Sequence, residues 1–126
     1  MIYCENRQEY KAKLYQNSRT GKIPVLEYIT GLSEKDRSKV YKYIEFLRVS
    51  EGYLEEPYSK HITGKIRELR VDFAKNRHRI FYFTFVKRTI ILLHAFLKKT
   101  PKTPVAEIKR AEEHYQDVIQ NPKIYE

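Results

Sequence analysis

The chain has 126 residues, of which 41% are hydrophobic and 33% charged, and it carries a formal net charge of +9. This size predicts one domain, over residues 1–126, with its own hydrophobic core. No apolar run is long enough for a membrane span, and the single cysteine, Cys4, excludes an internal disulfide and a cysteine-built zinc site. The N-terminus lacks a secretion-signal pattern, so we expect a cytoplasmic (cytosolic) protein.

The first predicted element is a short strand, and a helix follows it. Tyr10, Ala12 and Leu14 alternate with charged residues, which predicts a strand with one solvated face. Pro24 fits the first position of the helix and Gly31 its end, because proline lacks the N–H that a first turn leaves unpaired.

A second helix is predicted to begin after Ser33. The Ser33 hydroxyl can accept a hydrogen bond from the free N–H groups of the first turn, and Asp36 resembles the acidic member of a shortened capping box. The apolar stripe of this helix consists of Val40, Tyr43, Ile44 and Leu47. With Gly52 as its end, it should form a helical hairpin with the first helix.

Three strands are predicted next, over residues 65–73, 77–86 and 89–97. These segments are rich in β-branched and aromatic residues, as strands prefer, and short turns separate them. Such spacing predicts an antiparallel meander. The third segment is apolar on both faces, so we expect it in the centre of the sheet or well covered.

A last helix is predicted to begin at Thr103 and Pro104, as its N-cap and first residue, and to end at Asn121. Its apolar stripe consists of Ile108, Ala111, Tyr115 and Val118. The predicted fold class is α+β, with a small antiparallel sheet, an N-terminal helical hairpin and a C-terminal helix, all helices lying on one face of the sheet.

The positive charge is concentrated in one third of the chain. Between Lys60 and Lys102 there are twelve Lys or Arg residues against only Glu68 and Asp72, a net charge of +10, and the rest of the chain sums to −1. Such a segment is typical of a protein that binds a polyanion, most plausibly nucleic acid. The alternative is a solvated basic face without a ligand.

Five cations of this segment are candidates for one site. Alternating strand directions place Arg79, at the start of one strand, near Lys98 and Lys99, at the end of the next, and Arg70 and Lys102 can approach the same region. Like charges this close repel unless an anion lies among them, and the predicted helix N-terminus after Lys102 also favours an anion. The alternative is a solvated, proline-stiffened loop.

Further residues are candidates for contacts to RNA: Lys65, Arg67, Lys75, Arg77 and Tyr82. The Tyr82 ring could stack on a base or its phenol could donate a proton, but core packing is the more common role of an aromatic residue in such a run. His94, in an apolar strand, is interpreted as a hydrogen-bonded structural histidine. The sequence has no phosphate-binding loop, nucleophile elbow, metal-ligand spacing or cofactor motif.

Two segments, KIRELRVDFAKNRHRIFYF and IILLHAFLKKTPKTPVAEIKRAEE, resemble the phage-derived HigB-like toxins of the RelE/ParE superfamily. The resemblance covers nearly the whole chain after about residue 10, with Ala95 in place of an expected glycine. It implies a RelE-like fold and a type II toxin that cuts mRNA in the ribosomal A site. It also implies a neutralising HigA-like helix-turn-helix antitoxin, and operator DNA bound through the antitoxin complex.

The functional positions that the resemblance implies are Arg70 of the ELR motif, Arg79 of the RIFY motif, and Lys98, Lys99 and Lys102. The general acid and base stay open, because the sequence shows no evident carboxylate–histidine pair; Lys98 or Lys99 is a candidate base, and Tyr82 or another lysine a candidate acid. Two other functions stay open as well: a ParE-like gyrase poison that leaves RNA intact, and a catalytically degenerate partner of the antitoxin and operator DNA.

Overall fold

The computed structural model describes residues 9–126; the lone Cys4 and the N-terminal segment around it lie outside the described residues. The elements, in chain order, are β1 (Lys11–Leu14), α1 (Pro24–Thr30), α2 (Glu34–Val49), β2 (Ser59–Thr63), β3 (Ile66–Phe73), β4 (Asn76–Phe85), β5 (Thr89–Leu97), α3 (Val105–Gln120) and a short 3₁₀ helix (Pro122–Tyr125). The predicted α+β class is confirmed. Within the described part of the chain, no helix is both long enough and apolar enough to cross a bilayer.

The five strands form one sheet in the order β1-β5-β4-β3-β2. The meander β3-β4-β5 is antiparallel, as predicted, and β2 extends it as an antiparallel neighbour of β3. The prediction of an antiparallel sheet is wrong for β1, which pairs in parallel with β5, Ala12 lying opposite Ile90. Strand β2 was not predicted, because its residues, SKHIT, carry no apolar alternation.

Helices cover both faces of the sheet, so the prediction that all helices lie on one face is wrong. Alternate residues of β4 explain the difference, since strand side chains point to opposite faces. Ile80 and Tyr82 pack with α1 and α2, whereas Phe81 and Phe83 pack with α3. Strand β5 lies between β1 and β4 with almost every residue buried, which confirms the prediction of a central, covered strand.

The helix ends follow the predicted signals in part. The Asp36 N–H donates to Ser33 Oγ over 3.3 Å, which confirms the N-cap of α2. The predicted N-cap at Thr103 is wrong by one residue: Pro104 occupies that position, and its side chain makes no capping hydrogen bond. Gly31 ends α1 with a φ of −81°, a value that any residue adopts.

Gly52 follows α2 with a φ of +83°, and a Cβ there would lie 2.6 Å from Thr84 Oγ1. Gly52→Ala should therefore lower the free energy of unfolding by about 2–3 kcal/mol, through left-handed backbone strain and the displacement of Thr84. Gly64→Ala is the matched control, since Gly64 has a φ of +53° and open space around it. Urea denaturation should show a loss of only about 1 kcal/mol for the control. Equal losses would mean that the contact with Thr84 costs nothing.

A buried hydrogen-bonded chain connects α1 and α2 to the start of β4. Tyr28 Oη lies 2.7 Å from His78 Nδ1, and His78 Nε2 lies 2.7 Å from Asp36 Oδ2, to which Asn76 Nδ2 also donates. The hydrogen bonds from Asn76 and His78 lower the pKa of Asp36. Burial, helped by the charge of Asp36, raises the pKa of Tyr28 to about 12.

This raised pKa predicts alkaline instability. The folded protein holds the Tyr28 proton more tightly than the unfolded chain does, so the stabilisation is complete below pH 10.0 and is lost as the pH rises to about 12. Urea unfolding at about pH 9 and about pH 11 should show a smaller loss in Tyr28→Phe than in the wild type. A variant with the same loss as the wild type would contradict this role.

Candidate active site

The two arginines of the predicted site lie side by side on neighbouring strands. Arg70 of β3 is directly opposite Arg79 of β4, and Arg79 is opposite Phe96 of β5. All three side chains belong to the face that α3 partly covers, because Phe96 packs there and residues paired across strands share a face. Two like charges directly opposite each other destabilise a sheet, so this placement needs a compensating anion.

Lys98 joins the arginines directly after β5, where its N–H donates to the Arg77 carbonyl over 2.8 Å. Burial lowers the pKa of Lys98; the charge of Glu68 opposes the shift, and the charges of Arg79, Arg70 and Lys60 add to it. These electrostatic interactions define one group, the cationic cluster, which consists of Lys60, Arg70, Arg79 and Lys98. Lys60 was counted in the basic segment but was not a predicted site residue. It belongs to the cluster because β2 places it opposite Glu68.

Two carboxylates of β3 hold the arginines. Glu68, a fully buried side chain, accepts from Arg70 Nε at 3.1 Å. Asp72 accepts from Arg79 Nη1 at 2.6 Å, and the same nitrogen donates to the His78 carbonyl at 3.1 Å. The Arg79 side chain is only 6% exposed, whereas Asp72 is 64% exposed.

Three atoms on this face of the sheet, Glu68 Oε2, Arg79 Nε and His94 Nδ1, are buried polar atoms without a hydrogen-bond partner among residues 9–126. A buried polar atom without a partner costs about 1–3 kcal/mol, and more when its group is charged. The unpaired Arg79 Nε–H is a donor that an anionic ligand can satisfy, whereas Glu68 Oε2 is an acceptor and needs a donor such as a hydroxyl group.

Lys99 and Lys102 lie outside the cationic cluster. Both are exposed in the loop between β5 and α3, where Thr100 Oγ1 donates to the Lys102 carbonyl over 2.7 Å. Neither lysine side chain forms an ion pair or hydrogen bond within the described residues. Of the five predicted cations, Arg70, Arg79 and Lys98 come together, and the other two are available on a neighbouring loop.

The other predicted RNA contacts are divided between the two faces. Arg77 is exposed two residues before Arg79 and shares its face, and Lys65 and Lys75 are exposed in the turns at the two ends of β3. Arg67 points to the opposite face, where it lies 4.9 Å from the centre of the Tyr53 ring and donates to Ser59.

Tyr82 is a core residue, so its predicted contact with RNA needs correction. The side chain is fully buried on the α1 and α2 face, and its hydroxyl lies 2.8 Å from Ser59 Oγ and 3.3 Å from the Gly52 carbonyl oxygen. A ring enclosed in this way has no face on which a base can stack, and it lies across the sheet from the cationic cluster.

A carboxylate–histidine pair that was not predicted from the sequence lies on the same face of the sheet as Arg79. His94 Nε2 lies 2.6 Å from Glu107 Oε1 at the start of α3, which confirms His94 as a hydrogen-bonded residue. A β-bulge leaves Leu93 without a partner between the pairs Phe81–His94 and Tyr82–Leu92. The extra residue reverses the alternation of β5, so periodicity from the start of that strand could not place His94 on this face.

The described residues therefore form a small α+β domain whose sheet carries a partly buried cationic cluster, the arrangement of a protein that binds anionic groups. No group of three or more His, Cys, Asp or Glu side chains within residues 9–126 is placed to hold a metal ion.

The profile of the family described as Phage derived protein Gp49-like (DUF891) matches residues 27–116, which include Arg70, Arg79 and Lys98. The chain therefore belongs to this family, a family of type II toxin–antitoxin toxins related to RelE and associated with endoribonuclease-type activity. The family suggests a cognate antitoxin as partner. The search of curated proteins gave no significant match.

Proposed function

We propose that the protein is a HigB-like toxin with a RelE-like fold that cleaves mRNA in the ribosomal A site. The observation that supports this most directly is the cationic cluster itself. Arg70, Arg79 and Lys98 converge within the part of the chain that matches the toxin family, and the buried Nε–H of Arg79 has no hydrogen-bond partner among residues 9–126. A phosphodiester supplies the negative charge and the hydrogen-bonding oxygens that such a group binds.

The proposed reaction needs no resident metal. The 2′-OH of the substrate attacks the adjacent phosphorus while the bond from phosphorus to the 5′-oxygen breaks, which leaves a 2′,3′-cyclic phosphate and a 5′-hydroxyl. The pentacoordinate phosphorane carries more negative charge than the substrate, and Arg70 and Arg79 stabilise it. Guanidinium groups suit this role because they stay protonated and present several N–H donors in a fixed plane.

Lys98 is the proposed general base. A base must be neutral when it accepts the 2′-OH proton, and burial together with the charges of Arg79 and Arg70 favours the neutral amine. The leaving 5′-oxygen receives its proton from a separate group that acts as general acid. The exposed Lys99 and Lys102 of the adjoining loop are the candidates, since Tyr82 is buried on the other face.

The partners follow from the same proposal. The substrate is mRNA on the ribosome, a HigA-like helix-turn-helix antitoxin neutralises the toxin, and the antitoxin complex binds operator DNA. The positive surface available to RNA is extended by Arg77, Lys65 and Lys75. Contacts of such residues with backbone phosphates weaken as the salt concentration rises.

Primer extension on transcripts isolated after induction of the protein tests this function. We expect new 5′ ends within codons of translated messages, and their loss when the cognate antitoxin is induced at the same time. DNA damage without new 5′ ends would instead identify a gyrase poison. Normal growth and intact transcripts, with antitoxin complexes still forming, would identify a degenerate toxin.

A further inference from the structure

The two carboxylates that neutralise the arginines differ in how easily they can leave. Glu68 is completely buried, so breaking its contact with Arg70 would leave an unpaired charge inside the protein. Asp72 lies at the rim with its side chain 64% exposed, so water can solvate the carboxylate as soon as it turns away. The more exposed anion is bound to the more deeply buried arginine.

Arg79 needs an anion whether or not substrate is present. Its side chain is 6% exposed, its Nη1 contacts Asp72 and the His78 carbonyl, and its Nε has no partner among the described residues. Nη1 has two N–H groups, and Asp72 and the His78 carbonyl accept from them, so another anion can bind this nitrogen only by replacing Asp72. The charges of Arg70 and Lys98 nearby make the replacement of one anion by another more favourable than the departure of the first alone.

We propose that Asp72 occupies the phosphate position in the free protein and that a non-bridging oxygen of the scissile phosphodiester replaces it on Arg79. This inference rests on the proposed function, to which it adds a residue that sets substrate affinity. Glu68 stays on Arg70 and keeps that side chain in position throughout. Asp72 thus lowers affinity for weakly held anions, because each must compete with an ion pair that is already formed.

The test is the affinity of the full chain for a short single-stranded RNA that is methylated on its 2′-oxygens and therefore cannot be cleaved, measured by fluorescence anisotropy. Asp72→Asn should bind this RNA roughly threefold to tenfold more tightly than the wild type, because the internal competitor loses its charge. Glu112→Gln is the matched control; it removes the same charge from an exposed position of α3 and should bind like the wild type.

A double-variant comparison separates displacement from a general change in charge. In the Arg79→Ala background, Asp72→Asn should give no gain, since no ion pair is left to displace. A gain that persists there, or an Asp72→Asn variant that binds no more tightly than Glu112→Gln, overturns the inference. Asp72→Ser is a second neutral variant and should also bind more tightly than the wild type. Thermal unfolding should match that of the wild type, so that a change in affinity does not come from a loss of folding.

The same variants distinguish this inference from the proposed function. If Arg79→Ala loses RNA binding and cleavage while both Asp72 variants bind like the wild type, the displacement is wrong and the site is right. If Arg79→Ala binds RNA and cleaves mRNA as well as the wild type does, the active site itself is wrong.

Discussion

Arg79→Ala is expected to lower the rate of mRNA cleavage on ribosomes about 100- to 1,000-fold, the usual cost of removing one donor that stabilises a developing negative charge. Asp72 and the His78 carbonyl hold the guanidinium group in position beside Arg70, so its donors are oriented before substrate binds. Cleavage should be measured with purified protein and programmed ribosomes.

Two further variants make this result interpretable. Arg19→Ala removes the same charge from an exposed turn before α1 and should cleave at the wild-type rate. Arg79→Lys keeps the charge but not the planar arrangement of donors, so it should recover only part of the activity. Wild-type cleavage by an Arg79→Ala protein with native circular dichroism would rule out this site.

Lys98→Arg is expected to lower cleavage at least about 100-fold, because an arginine keeps the positive charge but stays protonated and cannot act as a base. In the wild type, the rate should rise with pH until the pKa of Lys98 is passed. Burial and the neighbouring arginines lower that pKa from 10.5, so the midpoint of the rise should lie below this value.

Lys109→Arg is the matched control for Lys98→Arg, since Lys109 is an exposed lysine of α3 outside the cationic cluster. This variant should keep the wild-type rate and pH profile. A Lys98→Arg variant with wild-type rate and profile would show that Lys98 stabilises charge and that another group takes the proton.

The sequence contained enough information to bring Arg70 and Arg79 together. Two consecutive strands with a short turn between them allow few registers, and the alternation of β3 places Glu68, Arg70 and Asp72 on the face opposite to Leu69 and Val71. The position of Lys98 can be predicted in the same way, because it comes directly after the next antiparallel strand. Such neighbours are joined by short turns, so the pattern of a short stretch of sequence is enough to place them.

The features that sequence reasoning missed depend on distant partners or on irregular geometry. The carboxylate of Asp36 reads as part of a helix cap, but His78 and Asn76 of β4 also bind it. The pair His94–Glu107 requires a bulge that no periodicity reveals. Tyr82 was ambiguous because an aromatic strand can present a ring to a ligand or to the core, and only the packing of α1 and α2 decides which face is enclosed.

The parallel pairing of β1 with β5 has a consequence for synthesis of the protein. Residues 11–14 are synthesised well before their partners, residues 89–92, and Lys98 is synthesised later still. Contacts between segments so far apart in sequence form slowly, and here they cannot form until residues 89–92 have been translated. The nascent protein therefore acquires its cationic cluster only after every strand of the sheet has been synthesised, so a partly translated chain lacks the proposed site.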